Sequence, residues 1–174
     1  SPSSAVQIGD PITQKKMLDM IIEARDEGLI QVITDNGAGG LSSSVGEMAE
    51  LTGGADLDLA VVPLKQVGLS PWEILVSESQ ERMTVGVSPK DCAAFEALAD
   101  LHEVEATAVG TFTDSGAFVV RMGDDVVAHL PISFLHDGCP QLILDSEWAP
   151  PVHAEPILPD LSQMEDVLLR LMAR

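Results

Sequence analysis

The sequence predicts a mixed fold of the α/β (α+β) class, built around a mixed sheet. Helical and extended patterns alternate through the first part of the chain, and three closely spaced extended segments then follow one another without a helix between them. A helix between two strands permits a parallel crossover, whereas strands joined by short turns favour antiparallel pairing. We therefore expect a sheet that contains both arrangements rather than a purely parallel one.

The helices are predicted from apolar residues at helical spacing and from capping residues at the ends of each segment. The first pattern places Met17, Met20 and Ile21 on one face and ends near Gly28. The second has Ser43 or Ser44 near its start, with Glu47 as a capping partner. Helices are expected at residues 12–29, at 42–51, from Ser70 with Pro71 in the first position, and at 89–101 with Ser88 as N-cap.

The strands are predicted where apolar and β-branched residues are bounded by turn residues. The apolar run at 30–34 predicts a buried strand, and residues 84–87 predict another. Residues 57–64 are expected to be extended. Further strands are expected at 106–113, 117–122 and 126–130, the last two joined by a turn at 123–125.

The composition changes after Gly138. Residues 147–156 are rich in proline, which lacks a backbone N–H donor, so that neither a helix nor a sheet ladder is expected there. We predict a domain at 1–138, a proline-rich linker at 139–160 and an amphipathic C-terminal helix at 161–174. The start Ser-Pro-Ser-Ser, without Met, suggests a cut inside a longer protein, although processing of the chain would give the same start. In the first case the last helix would lead toward a second half.

The charge and the cysteines narrow the classes of partner. With 28 acidic against 9 basic residues the net charge is -19. Nucleic acid and anionic membranes attract positive surfaces, so neither is expected as a partner. No apolar stretch approaches the roughly 20 residues of a membrane span. Cys92 and Cys139 lie far apart and form no paired motif, which favours a reducing, cytoplasmic location.

The stretch that follows the strand at 30–34 is the strongest candidate for a ligand site. Asp35 ends the strand, and Gly37, Gly39 and Gly40 come directly after it. Glycines allow a backbone to approach a ligand closely, and the first amides of a helix are anion donors. One interpretation is a phosphate site with Mg²⁺ held on Asp35, since an acidic chain needs a cation to bind phosphate. The alternative is a tight turn with a helix cap.

A second polar cluster, Ser-Glu-Ser-Gln-Glu-Arg-Met at residues 77–83, lies between a predicted helix and a predicted strand. It is either a solvated turn or a set of side chains that line a cleft, and the residues alone favour the turn because loops are usually polar. The four histidines do not have the spacing of metal ligands. No Ser-His-Asp or Cys-His arrangement can be argued from spacing.

Taken in order, these motifs resemble phosphoribosylformylglycinamidine synthase. The resemblance is carried by residues 6–11, 35–44, 47–48 and 77–83. They are similar to the C-terminal domain in the first half of the large (subunit II) component of the synthase, with family-like spacing over nearly the whole chain. Aminoimidazole ribonucleotide (AIR) synthetase, selenophosphate synthetase and thiamine-monophosphate kinase belong to the same superfamily, but the run at 77–83 favours the synthase.

The resemblance implies a three-layer α/β/α fold like the AIR synthase C-terminal domain. It also implies an ATP-dependent ligase of purine biosynthesis. Such a synthase activates the formamide oxygen of formylglycinamide ribonucleotide with ATP, and ammonia from a glutaminase subunit or domain then forms the amidine. By the same resemblance, Gln7 matches a substrate-binding glutamine, Asp35 a magnesium ligand, and Glu78, Ser79 and Gln80 the substrate-contacting triplet.

The resemblance assigns no catalytic residue to this chain. In the family, the catalytic histidines and most ATP contacts lie in other domains, so we expect the chain to be inactive without the rest of the synthase. The phosphate cradle at Gly37, Gly39 and Gly40 is an inference from the residues themselves. Two alternatives are a related enzyme of the same superfamily and a non-catalytic interaction module.

Overall fold

The computed structural model describes residues 10–157 and 164–173 of the chain. The chain divides into two compact units, one that ends at Pro140 and one that begins at Gln141. The helices of the first unit are α1 (Pro11–Asp26), α2 (Gly40–Thr52), α3 (Pro71–Leu75), α4 (Cys92–Leu101) and α5 (Ile132–Asp137). Its strands are β1 (Ile30–Asp35), β2 (Ala55–Asp58), β3 (Met83–Val87), β4 (Gly110–Phe112), β5 (Ala117–Met122) and β6 (Asp125–Pro131).

The strands form two sheets. β1 and β3 pair antiparallel in a two-stranded sheet, and the other four strands are ordered β4-β2-β5-β6. In the larger sheet β2 and β5 run parallel, whereas β2 with β4 and β5 with β6 run antiparallel. The expectation of a mixed α/β fold with a mixed sheet is therefore confirmed.

The apolar core is divided between two clusters. The larger cluster packs α2 and α3 against the four-stranded sheet, with Leu57, Ile74 and Phe118 at its centre. The smaller cluster joins α1 to α4 through Met20, Ala24 and residues of α4 such as Leu98. Helix α2 also contacts both β1 and β3, so it links the larger core to the two-stranded sheet.

Two helices begin two or more residues from the expected position. Helix α2 begins at Gly40 because Gly39 adopts a left-handed conformation with φ of 86° and acts as the N-cap. Ser43 instead donates to Glu47 across one turn of the helix, at 3.0 Å. Helix α4 begins at Cys92, since Ser88 accepts a hydrogen bond from the Asp91 amide at 2.8 Å and so opens a separate turn.

The strands differ from expectation in burial and length. β1 was expected to be buried, but it alternates between half-buried and exposed residues because it is an edge of a two-stranded sheet. β2 ends at Asp58, whose carboxylate accepts from the Ala60 amide, and a 3₁₀ helix (Leu59–Val61) replaces the expected extended segment. β4 covers only three residues of the predicted 106–113, and α5 was not predicted at all.

The second unit contains one described helix, α6 (Met164–Met172), and residues 141–157 form neither helix nor strand. Residues 161–163 and 174 of the predicted terminal helix lie outside the described part of the chain, and so do residues 158–160 of the predicted linker. Among the described helices, each is too short or too polar to cross a lipid bilayer.

Candidate functional site

The antiparallel pairing of β1 with β3 brings the two predicted motifs together. Asp35, the last residue of β1, is paired with Met83, the first residue of β3. In an antiparallel pair the chain that leaves one strand lies beside the chain that enters the other. The glycine loop after Asp35 and the polar cluster before Met83 are therefore neighbours, although more than forty positions separate them.

Asp35 and Gly37 form a tight local turn at the end of β1. The Gly37 amide donates to Oδ1 of Asp35 at 2.8 Å, a geometry typical of an Asx turn. A Cβ on residue 37 would lie 2.7 Å from the same oxygen, so a larger residue there would force the Asp35 carboxylate to shift. The Asp35 side chain is exposed, and its Oδ2 accepts no hydrogen bond from the described residues.

The glycine loop contacts the polar cluster directly. The Gly39 amide donates to Oε1 of Glu78 at 3.2 Å. Gly40 has a φ of 55°, and a Cβ there would overlap the backbone of Ser77. The close approach of the two segments therefore depends on glycine at this position.

The amides of the three predicted phosphate-loop glycines are not free in this conformation. Gly37 donates to Asp35, Gly39 donates to Glu78, and Gly40 donates to the Gly37 carbonyl oxygen at 3.2 Å. A phosphate bound to Gly39 would have to replace a carboxylate. The phosphate-binding role of these glycines stays a prediction.

One cavity, named here the small cavity, includes most of the predicted site residues. It has a volume of about 340 Å³. Its wall is formed by residues at the end of β1, by two side chains of α1 and by the polar cluster. The lining residues are Gln14, Met17, Asp35, Asn36, Gly37, Ala38, Glu78, Ser79, Gln80, Glu81, Arg82 and Met83. Gly39 reaches the cavity wall through Glu78, and Gln7 lies outside the described residues.

The polar cluster is a cavity wall rather than only a solvated turn. Ser79 is half-buried, and its hydroxyl lies 3.3 Å from that of Ser77. Glu78 and Gln80 are exposed beside it. Glu81 adopts a φ of 52°, which is uncommon for a residue with a side chain and marks local strain.

A larger cavity of about 800 Å³, named here the large cavity, shares one wall with the small cavity. It extends between α1, α4 and the inner edges of both sheets. The residues that line both cavities are Met17, Ser79, Gln80, Glu81, Arg82 and Met83. The strained segment before β3 thus separates two open spaces.

Sequence reasoning gave no individual role to three residues of the small cavity. Asn36 is 2% exposed, and its Oδ1 accepts from Ser44 at 2.7 Å and from Thr84 at 3.0 Å. Within the described residues, Asn36 Nδ2 and Glu81 Oε2 are buried without a hydrogen-bond partner. Arg82 belongs to the polar cluster at residues 77–83, but no separate role was predicted for it. Its signal in the sequence is the rarity of basic residues beside so many acids.

The chemistry of the small cavity is acidic and oxygen-rich. Asp35, Glu78 and Glu81 face a single basic side chain among the described lining residues, Arg82. Oxygen donors of this type suit a hard divalent cation. No group of three His, Cys, Asp or Glu side chains in the described part of the chain has the geometry of a metal site. The described lining residues can therefore supply one or two ligands of a cation, but not a complete ligand set.

The fold and this cavity define the class of protein. The family described as AIR synthase related protein, C-terminal domain, matches residues 1–123 of the chain. The chain therefore belongs to that family. A match of this extent includes both motifs that meet at the small cavity.

Similar proteins include synthase subunits of the name PurL. The phosphoribosylformylglycinamidine synthase subunit PurL of Methanopyrus kandleri is 43% identical over 145 residues, which are 83% of this chain and 20% of the relative. Solved structures of Thermotoga maritima PurL complexed with FGAR and with ATP match with TM-scores of 0.77 and 0.78, at 30% and 28% identity. They cover 88% and 95% of this chain, and 26% and 29% of those chains.

These similarities confirm the resemblance to phosphoribosylformylglycinamidine synthase that the motifs predicted. The chain spans about a fifth to somewhat over a quarter of the length of these relatives.

Proposed function

We propose that this chain is the substrate- and metal-binding part of a phosphoribosylformylglycinamidine synthase. The complete enzyme would convert formylglycinamide ribonucleotide (FGAR) to the amidine with ATP and glutamine-derived ammonia. The observation that carries the proposal is the small cavity, which joins Asp35 to Glu78, Ser79 and Gln80. The FGAR complex of the similar T. maritima protein supports this choice of ligand.

The triplet Glu78, Ser79 and Gln80 is proposed to contact the substrate. A ribonucleotide offers hydroxyl donors to Glu78 and amide groups to Gln80, while Ser79 can donate or accept. The hydrogen bond from the Gly39 amide holds Glu78 at the cavity edge. Gln7 is proposed as a further substrate contact from the resemblance alone.

Asp35 is proposed to bind Mg²⁺. Its Oδ1 accepts from the Gly37 amide, which fixes the carboxylate and leaves Oδ2 for a cation. Mg²⁺ in phosphate sites is commonly held by one or two carboxylates together with phosphate oxygens and water. The incomplete ligand set of this chain fits that pattern. The cation would offset the repulsion between a phosphorylated ligand and the carboxylates of Glu78 and Glu81.

The glycine loop is proposed to serve the phosphorylated ligand after a local rearrangement. The amides of Gly37, Gly39 and Gly40 all have partners in this conformation. Binding of a phosphate at Gly39 would require Glu78 to move from the loop to the substrate. The loop and the triplet would then act together.

The other requirements of the reaction are assigned to the rest of the synthase. ATP is proposed to bind mainly outside this chain, and ammonia to come from a glutaminase subunit or domain. We propose a cytoplasmic location because Cys92 and Cys139 are both exposed and unpaired. No residue of this chain is assigned a catalytic role.

Calorimetric titration of the complete protein with FGAR, with and without Mg²⁺, tests this proposal. We expect Mg²⁺ to increase the affinity for FGAR. In the presence of Mg²⁺, Asp35→Asn should lower that affinity by about tenfold or more, equivalent to roughly 1.4 kcal/mol. Asp114→Asn is the matched control, since Asp114 is exposed and lies outside both cavities. Absence of FGAR binding would instead support a related enzyme of the superfamily.

The same variant separates an enzyme from an interaction module. If the site only docks partners, Asp35→Asn in the complete protein should keep full Mg²⁺-dependent activity. If Asp35 binds the cation, the variant should need more Mg²⁺ to reach half of its maximal rate. The comparison is a titration of the rate against Mg²⁺ for both proteins.

A further inference from the structure

Arg82 is a basic side chain whose charge is only partly compensated. It is half-buried, and its Nη2 donates to the Pro63 carbonyl oxygen at 2.8 Å. A guanidinium carries five N–H donors, so one such bond leaves most of its capacity unused. Burial lowers the pKa of the Arg82 guanidinium, and Glu105 opposes that shift. Arginine nevertheless keeps its proton and its charge.

The other basic residues of the described chain are accounted for. Most have a carboxylate within ion-pair distance, and the remainder are exposed to water. Ion pairs join Lys15 to Asp19, Lys16 to Glu103, Arg25 to Asp26, Lys90 to Asp91 and Arg121 to Asp56, while Lys65 and Arg170 are exposed. Among the described residues, only Arg82 combines partial burial with the lack of an ion pair. Such a cation is normally paired or is reserved for a ligand.

The position of Arg82 gives that charge a target. Arg82 directly precedes Met83, the residue paired with Asp35, and it lines both the small and the large cavity. The strained backbone of Glu81 turns the chain immediately before it. Strain of this kind persists where the surrounding structure enforces it, and it is frequent at binding sites.

The charges of the small cavity require a cation from the protein. Asp35, Glu78 and Glu81 all repel a phosphate group. A divalent cation on Asp35 offsets part of that repulsion. Arginine is suited to the remainder because its planar donors match two phosphate oxygens at once.

We propose that Arg82 binds the phosphate group of the sugar-phosphate ligand in the small cavity. This inference rests on the proposed function for the identity of the ligand as FGAR. It adds a binding residue beyond Asp35, Gln7 and the triplet at 78–80. In the described structure the guanidinium bonds to Pro63 and interacts with Glu105, which line the large cavity but not the small one, so phosphate binding requires the side chain to turn toward the small cavity.

The test compares two ligands that differ only in the phosphate group, FGAR and its dephosphorylated ribonucleoside. In the complete protein, Arg82→Gln should weaken FGAR binding by about ten- to a hundredfold, the range of a charge-assisted hydrogen bond. Affinity for the ribonucleoside should not change. The FGAR affinity of Arg82→Lys should lie between those of the wild type and Arg82→Gln, because lysine keeps the charge but lacks the planar guanidinium donors. Equal loss for both ligands, or no loss for FGAR, would overturn the proposal.

Two controls keep the outcome unambiguous. Lys65→Gln removes the same charge from a residue that lines only the large cavity, so it should leave both affinities unchanged. If Arg82→Gln does not fold, because its bond to Pro63 is lost, Arg82→Lys carries the comparison. If the wild-type protein binds no FGAR, the proposed function fails. Titration with ribose 5-phosphate then tests separately whether Arg82 binds a phosphate group. Binding that is lost in the Arg82 variants supports the phosphate role, and no binding refutes it.

Discussion

The carboxamide of Asn36 connects the segments that carry the candidate site. Asn36 follows Asp35, Ser44 belongs to α2 and Thr84 belongs to β3, and the Ser44 and Thr84 hydroxyls are 2.9 Å apart. Because the network is buried, each hydrogen bond is made in a medium that strengthens it. The network therefore holds the turn that bears Asp35 against both α2 and β3.

Ser44→Ala should destabilise the chain by about 1–2 kcal/mol, because Asn36 loses a buried hydrogen-bond partner and Thr84 loses its neighbour. Urea unfolding measures the change. Ser43→Ala is the matched control one position earlier, where the side chain bonds only an exposed Glu47. That control should stay within about 0.5 kcal/mol of the wild type. Equal effects of the two variants would contradict a structural role for the buried network.

At the scale of single elements, helix α3 shows how one side chain sets a helix start. Glu73 accepts from the Ser70 amide at 2.8 Å and from the Ser70 hydroxyl at 2.6 Å. Both hydrogen bonds hold the pKa of Glu73 below the usual 4.5, and the bond from the Ser70 hydroxyl has the larger effect. A lowered pKa in the folded state means that the ionised form is favoured by folding. The stabilisation is thus present above about pH 4.5 and is lost as the pH falls through the lowered pKa.

Glu73→Gln should therefore lower the melting temperature at pH 7, and the difference from the wild type should shrink as the pH falls below 4.5. Thermal unfolding followed by circular dichroism across that range is the measurement. Glu96→Gln provides the control, since the Glu96 side chain forms no hydrogen bond with the described residues. A difference that stays constant with pH would show that the charge of Glu73 is not the cause.

Helix α2 contains two glycines with opposite requirements. A Cβ at residue 40 would overlap the Ser77 backbone, and its φ is 55°, whereas a Cβ at residue 46 meets no atom within 4 Å. Gly40→Ala should cost at least about 2 kcal/mol from strain and overlap. Gly46→Ala should instead stabilise the helix by about 0.5–1 kcal/mol. Urea unfolding of both variants tests the pair, and destabilisation by Gly46→Ala would contradict it.

Local signals predicted those elements that local chemistry determines. Pro71 and Ser70 predicted the start of α3, and α2 ends within one residue of the expected position, where Gly53 is left-handed. The division into two sheets and the short β4 were not predictable in this way. They depend on pairings such as Asp56 with Thr111, which join residues far apart in the chain. Helix α5 carried no capping signal, because it follows Pro131 at the end of β6.

The candidate site was predictable to a similar extent. Asp35 was identified from its place between an apolar run and three glycines, and its proximity to Glu78 followed from the resemblance. The buried network around Asn36 was not identifiable, because a sequence does not reveal which polar side chains are buried together. That burial depends on the β1–β3 register, which pairs Thr34 with Thr84 and so brings Thr84 close to Asn36.

At the scale of the whole molecule, the strong negative charge limits what the chain can bind by itself. A net charge of -19 repels phosphorylated ligands at long range, and Arg82 is the single described basic residue at the small cavity. On this charge balance, favourable binding of a nucleotide would depend on divalent cations that offset the repulsion. This reasoning predicts that FGAR binding to the complete protein depends on Mg²⁺ more strongly than binding of its ribonucleoside.

The chain alone should not release phosphate from ATP in the presence of FGAR and ammonia. Phosphoryl transfer depends on positioning and on electrostatic stabilisation of the transferred group. The small cavity offers one guanidinium and three carboxylates, and the described residues include no cluster that could hold a catalytic metal without further ligands. A phosphate-release assay with the complete synthase as positive control is the measurement. Turnover by the 174-residue chain above the protein-free background would mean that it contains the ATP site which we assign to other domains.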